Sequence, residues 1–146
     1  MPGQPKETRL RYRHFLTIPT RWMDNDTYGH VNNVTYYSYF DTAANSYLVV
    51  AGGFDPQNAP VIGVVVESMC RYQSPLAFPD ILEAGLRVGK LGTSSVRYEI
   101  GIFGQGADEA AAFGHFVHVF VERLERKPVP IPAPLRGALE KILVAD

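Results

Sequence analysis

The apolar and polar positions of this chain change period twice, and the changes divide it into one strand, one helix and four further strands. Over His14 to Trp22 threonine and isoleucine alternate as in a strand, and Pro19 marks an edge or a bulge there because proline cannot donate to a ladder. From Val34 to Ala51 the period lengthens: Tyr36, Tyr37, Phe40, Ala43, Ala44, Tyr47, Leu48 and Ala51 recur at three- and four-residue steps, the spacing of a helix face. Asn32 or Asn33 is placed to cap its start and Gly52-Gly53 to stop it. Asp41 is the only charged residue between Asn33 and Ala51, so the pattern predicts a helix buried on most sides.

Four more strands follow. Val61 to Gln73 ends at Ser74-Pro75, and Asp80 to Lys90 ends at Gly92. Thr93 to Phe103 sends Val96, Tyr98, Ile100 and Ile102 to one side and Arg97 and Glu99 to the other. Ala110 to Leu124 is the longest and carries Phe113, Val117, Val119 and Val121 on one face. The glycines of Gly104 to Asp108 suit a hairpin loop; no βαβ unit surrounds them, so they are no dinucleotide fingerprint. Residues 1–10 are expected as a flexible tail, and the proline-rich stretch from Lys127 to Pro134 leads into a short amphipathic helix over 135–144. The expected architecture is a single α+β domain over 1–146, a strongly twisted antiparallel sheet curled around one helix. Such a sheet exposes strand edges, and pairing them with a second copy removes the exposure, so at least a dimer is expected.

Composition narrows the classes. A chain of 146 residues suits one domain, and 46% hydrophobic with 20% charged residues is ordinary for a globular protein. A net charge of -1 gives no basis for broad nucleic-acid binding. No apolar run reaches the roughly 20 residues of a membrane span, and the polar start lacks the apolar centre of a secretory signal. Cys70 is the only cysteine, so no internal disulfide forms and a cytoplasmic location is the default.

Polar chemistry is concentrated from Arg21 to Asn33, where two carboxylates, a glycine, an imidazole and two carboxamides crowd a strand-to-helix junction. The first turn of a helix offers unpaired N–H groups and the positive end of its dipole, which polarise a carbonyl and stabilise the oxyanion formed from it. Gly29 lets the chain double back so that Asp26 faces the same point, as nucleophile or as general base for water. That suffices for a thioester, whose thiolate leaves readily, and is weak for an amide. The competing reading makes these residues turn and cap formers. Asp24 suits a structural partnership with Arg13 or Arg21, or solvation, and His30 a hydrogen-bonded structural place in the turn.

Elsewhere the bland readings dominate. His115 and His118 are three apart, hence on opposite strand faces, and with no cysteine cluster no metal site is expected. No Gly-x-Ser-x-Gly elbow occurs. Cys70 reads as inert packing, and Glu67 and Arg71, on one strand face, as an ion pair or the lining of a pocket shared with a partner subunit. The helix aromatics read as core or as the wall of an acyl tunnel.

The run Asp24-Asn25-Asp26-Thr27-Tyr28-Gly29-His30-Val31-Asn32-Asn33, followed by Tyr36 and Tyr39, resembles the hotdog-fold acyl-CoA thioesterases of the 4-hydroxybenzoyl-CoA thioesterase type. The resemblance continues through Glu67, Tyr72 and Pro75 and through Gly114 to Val121 into Lys127-Pro128 and Ile131-Pro132. It implies a hotdog fold of five to six strands around a central helix. It also implies a catalytic carboxylate at Asp26, an oxyanion-binding amide at Asn33, and substrate contacts from His30, Asn32, Tyr36 and Glu67. A homodimer or homotetramer acting on an acyl-CoA or acyl carrier protein thioester is implied, with no cofactor, nucleic acid or membrane. Basic residues among Arg87, Lys90, Arg97, Arg123, Arg126 and Lys127 would hold the nucleotide. Hotdog proteins also include enoyl-CoA hydratases or dehydratases and non-catalytic acyl-CoA-binding members, and fold alone does not choose among them.

Overall fold

A computed structural model describes residues 7–144. Its five strands are β1 (His14–Pro19), β2 (Val61–Tyr72), β3 (Ile81–Leu91), β4 (Ser95–Gly104) and β5 (Ala112–Glu122), in one antiparallel sheet ordered β1-β3-β4-β5-β2. Helix α1 (Thr35–Gly52) packs on one face of the sheet, and α2 (Ala133–Glu140) packs against α1 and β3. This is the hotdog arrangement, with five strands.

The core forms where the two periods meet. Alternate residues of the sheet, among them Leu86, Val88, Tyr98, Ile100 and Phe120, pack against the α1 stripe of Tyr36, Phe40, Ala44, Tyr47 and Leu48. The helix stops at Gly53, which takes the left-handed conformation (φ 67°) and returns its N–H to the Leu48 carbonyl. Its far side is less enclosed than its sequence implies. Ser38, Asp41, Thr42, Val49 and Val50 face outward, so this helix avoids charge without being buried all round.

Two ends differ from expectation. Residues 7–11, expected within a flexible tail, form a strap across the sheet face opposite α1; the rest of that tail, 1–6, lies outside the described residues. The Glu7 carbonyl accepts from the Ala110 N–H, and the Arg9 guanidinium lies 5.0 Å from the Phe103 ring centroid while pairing with Glu83 at 2.5 Å. Tyr12 ends the strap, lying over Gly85 and Gly101, where a methyl group would collide with its ring. Cation–π and side-chain contacts distant in sequence hold the strap, and no local periodicity announces them. The C-terminal helix begins two residues early, after Pro132, and ends at Glu140; Val144 N–H then bonds the Val88 carbonyl. Among the described residues no helix is long and apolar enough to cross a membrane.

The two strand histidines do face opposite ways. His115 meets Glu67 on the strap side, whereas His118 is sealed in the core with Nδ1 3.1 Å from the Tyr98 hydroxyl. Burial makes the His118 imidazolium costly and pulls its pKa down to about 4, against about 6.5 when unfolded. Below pH 6.5 the unfolded chain therefore binds a proton that the folded one refuses, so stability falls with falling pH through the window from about 6.5 to about 4. The loss should reach about 3 kcal/mol. Denaturant unfolding across that window should show this slope in the wild type and lose it in His118→Gln.

Candidate active site

After Pro19 the chain leaves the sheet until β2, so residues 20–34 are held by individual contacts. Thr20 bonds the Asp80 carbonyl through its N–H and its hydroxyl (2.6 Å for the latter). The expected first strand therefore stops at Pro19, and Trp22–Asp24 form a 3-10 turn. The Asp24 carboxylate closes that turn, accepting from the Arg21 N–H (2.9 Å) and its guanidinium (3.0 and 3.1 Å), and from the Tyr39 hydroxyl of α1 (2.8 Å). Asp24 is 1% exposed. Desolvation raises its pKa, but the Arg21 N–H, the Tyr39 hydroxyl and the Arg21 charge outweigh it and hold the carboxyl below the usual range. Of the two partners expected for Asp24, Arg21 is the one it takes.

Asp26 to His30 form a tight loop closed by the Asp26 N–H on the His30 carbonyl (2.8 Å). Gly29 makes the reversal at φ 85°, where a side chain would be strained. One carboxylate oxygen of Asp26, Oδ1, accepts from the Tyr28 N–H (2.8 Å) and the His30 N–H (3.4 Å). The other, Oδ2, receives no hydrogen bond from the described residues, which leaves it available for chemistry. The turn-forming and the catalytic readings are thus compatible, one per oxygen. The loop is seated by Val31 N–H on the Leu76 carbonyl (2.7 Å) and by Phe78 N–H on Asn25 Oδ1 (3.0 Å).

At the entrance to α1 the N-cap is Val34, which makes no side-chain capping bond, and Asn32 forms the turn that leads into it. The Asn32 side-chain oxygen accepts from the Val34 N–H (3.2 Å) and its carbonyl from the Thr35 N–H (2.9 Å). The Asn33 N–H meets no acceptor among the described residues, while the Asn33 carbonyl is held by the Tyr72 hydroxyl (3.0 Å). Its peptide is fixed and its donor is open.

Asp26, His30, Asn33 and Tyr36 line one cleft of about 390 Å³, closed on the other side by Tyr72 and residues 73–75. The His30 ring is exposed and has no partner among the described residues, unlike the hydrogen-bonded structural place expected for it. Burial pushes the Tyr36 phenol up to about 12 and the neighbouring Cys70 thiol up to about 11, so both stay protonated and Cys70 is a poor nucleophile. Asn32 turns to a second cleft of about 540 Å³ that it shares with Trp22, Asn25 and Thr27, and Asp26 borders both clefts.

Glu67 is not brought to this site within one chain. It lies on the opposite sheet face, with Oε2 2.7 Å from His115 Nε2, and it does not pair with Arg71. Four residues along a strand span about 13 Å, whereas a diagonal neighbour on the adjacent strand lies about 7–8 Å away, so β5 supplies the nearer partner. The wall formed by Trp22 and Asn25 had no signal in strand periodicity. The Arg21-x-x-Asp24 spacing is the feature that could have flagged the turn displaying it.

Residues 28–111 match the model of the thioesterase superfamily, a stretch that begins two residues after Asp26. The chain belongs to the thioesterase superfamily and has its hotdog fold. The structure is similar to that of the PA5185 protein from Pseudomonas aeruginosa strain PAO1, with 56% identity and a TM-score of 0.95 over 97% of this chain and 99% of that one. It is also similar to the PA2801 protein of Pseudomonas aeruginosa (32% identity, TM-score 0.79, covering 86% and 97%). The BH1999 gentisyl-coenzyme A thioesterase is 25% identical with a TM-score of 0.77, covering 86% and 99%. No curated protein matches the chain.

Proposed function

We propose that this protein hydrolyses an acyl-CoA or acyl carrier protein thioester, as a cytoplasmic, cofactor-independent enzyme of the 4-hydroxybenzoyl-CoA thioesterase type. One observation carries the proposal: Asp26, whose Oδ2 has no hydrogen bond among the described residues, and Asn33, whose N–H has none, line the same cleft. The thioester carbonyl oxygen accepts from the Asn33 N–H, which strengthens its hold as the oxygen gains charge. Asp26 Oδ2 then takes a proton from an attacking water, or attacks the carbonyl carbon itself. Either route forms a tetrahedral oxyanion that collapses with loss of the thiolate; water attack gives the free acid directly, whereas attack by Asp26 leaves a mixed anhydride that a water then hydrolyses to the acid and the regenerated carboxylate. Tyr36 and Tyr72 wall the cleft, His30 contacts the substrate from within it, Asn32 does so from the adjoining cleft that Asp26 also borders, and Tyr72 positions the Asn33 peptide.

The assembly follows from β2, an edge strand of 12 residues whose Val65 and Val66 are 46% and 58% exposed. A long apolar edge is a liability that pairing removes, and we assign that edge to a second copy in a homodimer or in a homotetramer built as a dimer of dimers. The test is thiol release from short, long and aromatic acyl-CoAs, measured on the species whose mass sedimentation identifies as an oligomer. Release from at least one class is expected; binding without release from any would assign the cleft to a non-catalytic role. His30, with its unpaired ring in the same cleft, is the one feature a hydratase would use, and hydration of an enoyl-CoA without thiol release would move the activity there.

A further inference from the structure

Three tyrosine rings pack in a row beside the Asp26 cleft, and only two of them spend their hydroxyl groups. Tyr39 donates to Asp24 (2.8 Å) and Tyr72 to the Asn33 carbonyl (3.0 Å). Tyr36 stands between them, edge to face with both, at centroid distances of 5.9 Å from Tyr39 and 5.2 Å from Tyr72. Its own hydroxyl has no hydrogen-bond partner among the described residues, although the residue is only 3% exposed. A tyrosine so deeply placed normally pairs its polar tip, because the phenol gives up water to get there.

The unpaired tip is not sealed in. Among the described residues the wholly buried side-chain atoms left without a partner are Glu7 Oε2 and His115 Nδ1, and the Tyr36 hydroxyl is not one of them. It therefore remains accessible, and the space that Tyr36 lines is the cleft it shares with Asp26 and Asn33. The direction has a local cause. Tyr36 lies in the first turn of α1, three residues after Asn33, and helical side chains lean toward the N-terminus, over the turn before their own Cα. The ring thus leans back toward the open Asn33 N–H, and its two edge-to-face neighbours hold it there.

A carbonyl oxygen has two lone pairs, and the Asn33 N–H serves one of them. As the thioester carbonyl becomes a tetrahedral oxyanion, its charge calls for a second donor, fixed in place and shielded from water. We propose that the Tyr36 hydroxyl is this second oxyanion donor, acting beside the Asn33 N–H. The assignment rests on the reading of the cleft as a thioester hydrolase. Tyr36 donates without giving up its proton: burial pushes the phenol up to about 12, so it stays protonated throughout the neutral range. The negative charge leaves with the thiolate, and no proton passes through the ring. His30 lines the same cleft, but it is exposed, and water competes for its ring.

Tyr36→Phe in the full-length protein is the test, because it removes the hydroxyl and keeps the ring between its neighbours. No hydrogen bond within the described residues is lost, so the unfolding curve should match that of the wild type. Thiol release should fall by about 100- to 1,000-fold in kcat, the range for loss of one oxyanion donor, with KM little changed. The factor should be the same for each acyl-CoA that the wild type hydrolyses, since every thioester presents the same carbonyl. A loss confined to one acyl class and seated in KM would overturn the assignment and make the hydroxyl a contact of the acyl group. Undiminished kcat in Tyr36→Phe would overturn it while leaving the hydrolysis standing, and a wild type that releases no thiol would overturn both.

Discussion

Replacing Asp26 by asparagine should lower kcat for thioester hydrolysis by about 100- to 10,000-fold, the range typical of a lost general base, and leave the fold intact. The substitution suits the geometry. The side-chain oxygen of asparagine can still accept from the Tyr28 and His30 N–H groups, so the loop that Oδ1 builds survives. What is lost is the second oxygen, the one with no partner among the described residues, replaced by an NH₂ that neither takes a proton nor attacks a carbonyl. KM should change little, because Asp26 acts on the reacting carbon and the bulk of binding comes from the cleft walls. Asp26→Ala is the less informative variant, since it removes the loop bonds as well. Unfolding curves superimposable on the wild type, together with a collapsed kcat, are the expected pair; near-normal turnover in Asp26→Asn would reject the mechanism.

Much of this was legible in the sequence wherever one residue's surroundings are set by its near neighbours. Helix α1 spans Thr35–Gly52 where the apolar steps predict Val34 to Ala51, because the same stripe that reads as periodic is the face that packs on the sheet. Strand β4 turns Val96, Tyr98, Ile100 and Ile102 into the core as its alternation requires. The polar run at the strand-to-helix junction became a cleft with Asp26, His30, Asn33 and Tyr36 on its rim, since a glycine turn and a helix start are both local events. Asn32 or Asn33 was expected as the cap, but the N-cap falls on Val34; Asn32 instead forms the turn that leads into α1, and Asn33 leaves its N–H open.

What was not legible depends on contacts across the sheet. Glu67 and Arg71 are four apart in sequence, yet strand register brings Glu67 to His115 and leaves Arg71 unpaired. The strap follows from Tyr12 finding two glycines on adjacent strands, Gly85 and Gly101, which no window around Tyr12 contains. Trp22, 78% exposed, reads as the last residue of the first strand, whereas the Arg21–Asp24 turn takes it out of the sheet to the cleft it shares with Asp26. In each case a tertiary partner overrode a local pattern that was correct in kind.

Asp24→Ala, two residues from the catalytic candidate, should differ from Asp26→Asn in lowering stability, by about 2–3 kcal/mol. The buried Tyr39 hydroxyl loses its acceptor, and the Arg21 N–H loses the carboxylate that closes the 3-10 turn. The Arg21 guanidinium adds little to the loss, because its side chain is 64% exposed and can return to water. For a chain of this size that corresponds to a Tm lower by roughly 5–10 °C. The pH dependence separates this carboxylate from His118. Its pKa is held below the unfolded value, so its contribution is complete above the unfolded carboxyl pKa of about 3.9 and is lost as pH falls through the folded one. The wild type should therefore lose stability in two stages on acidification, His118 first and Asp24 at lower pH, and Asp24→Ala should lack the second. Activity should fall as well, because the turn that Asp24 closes also receives the Asn32 N–H on the Asp24 carbonyl and so sets the entrance of α1 against the Asp26 loop. A Tm equal to that of the wild type would show that the loop stands without this carboxylate, leaving the Asp26 geometry to its own two backbone bonds.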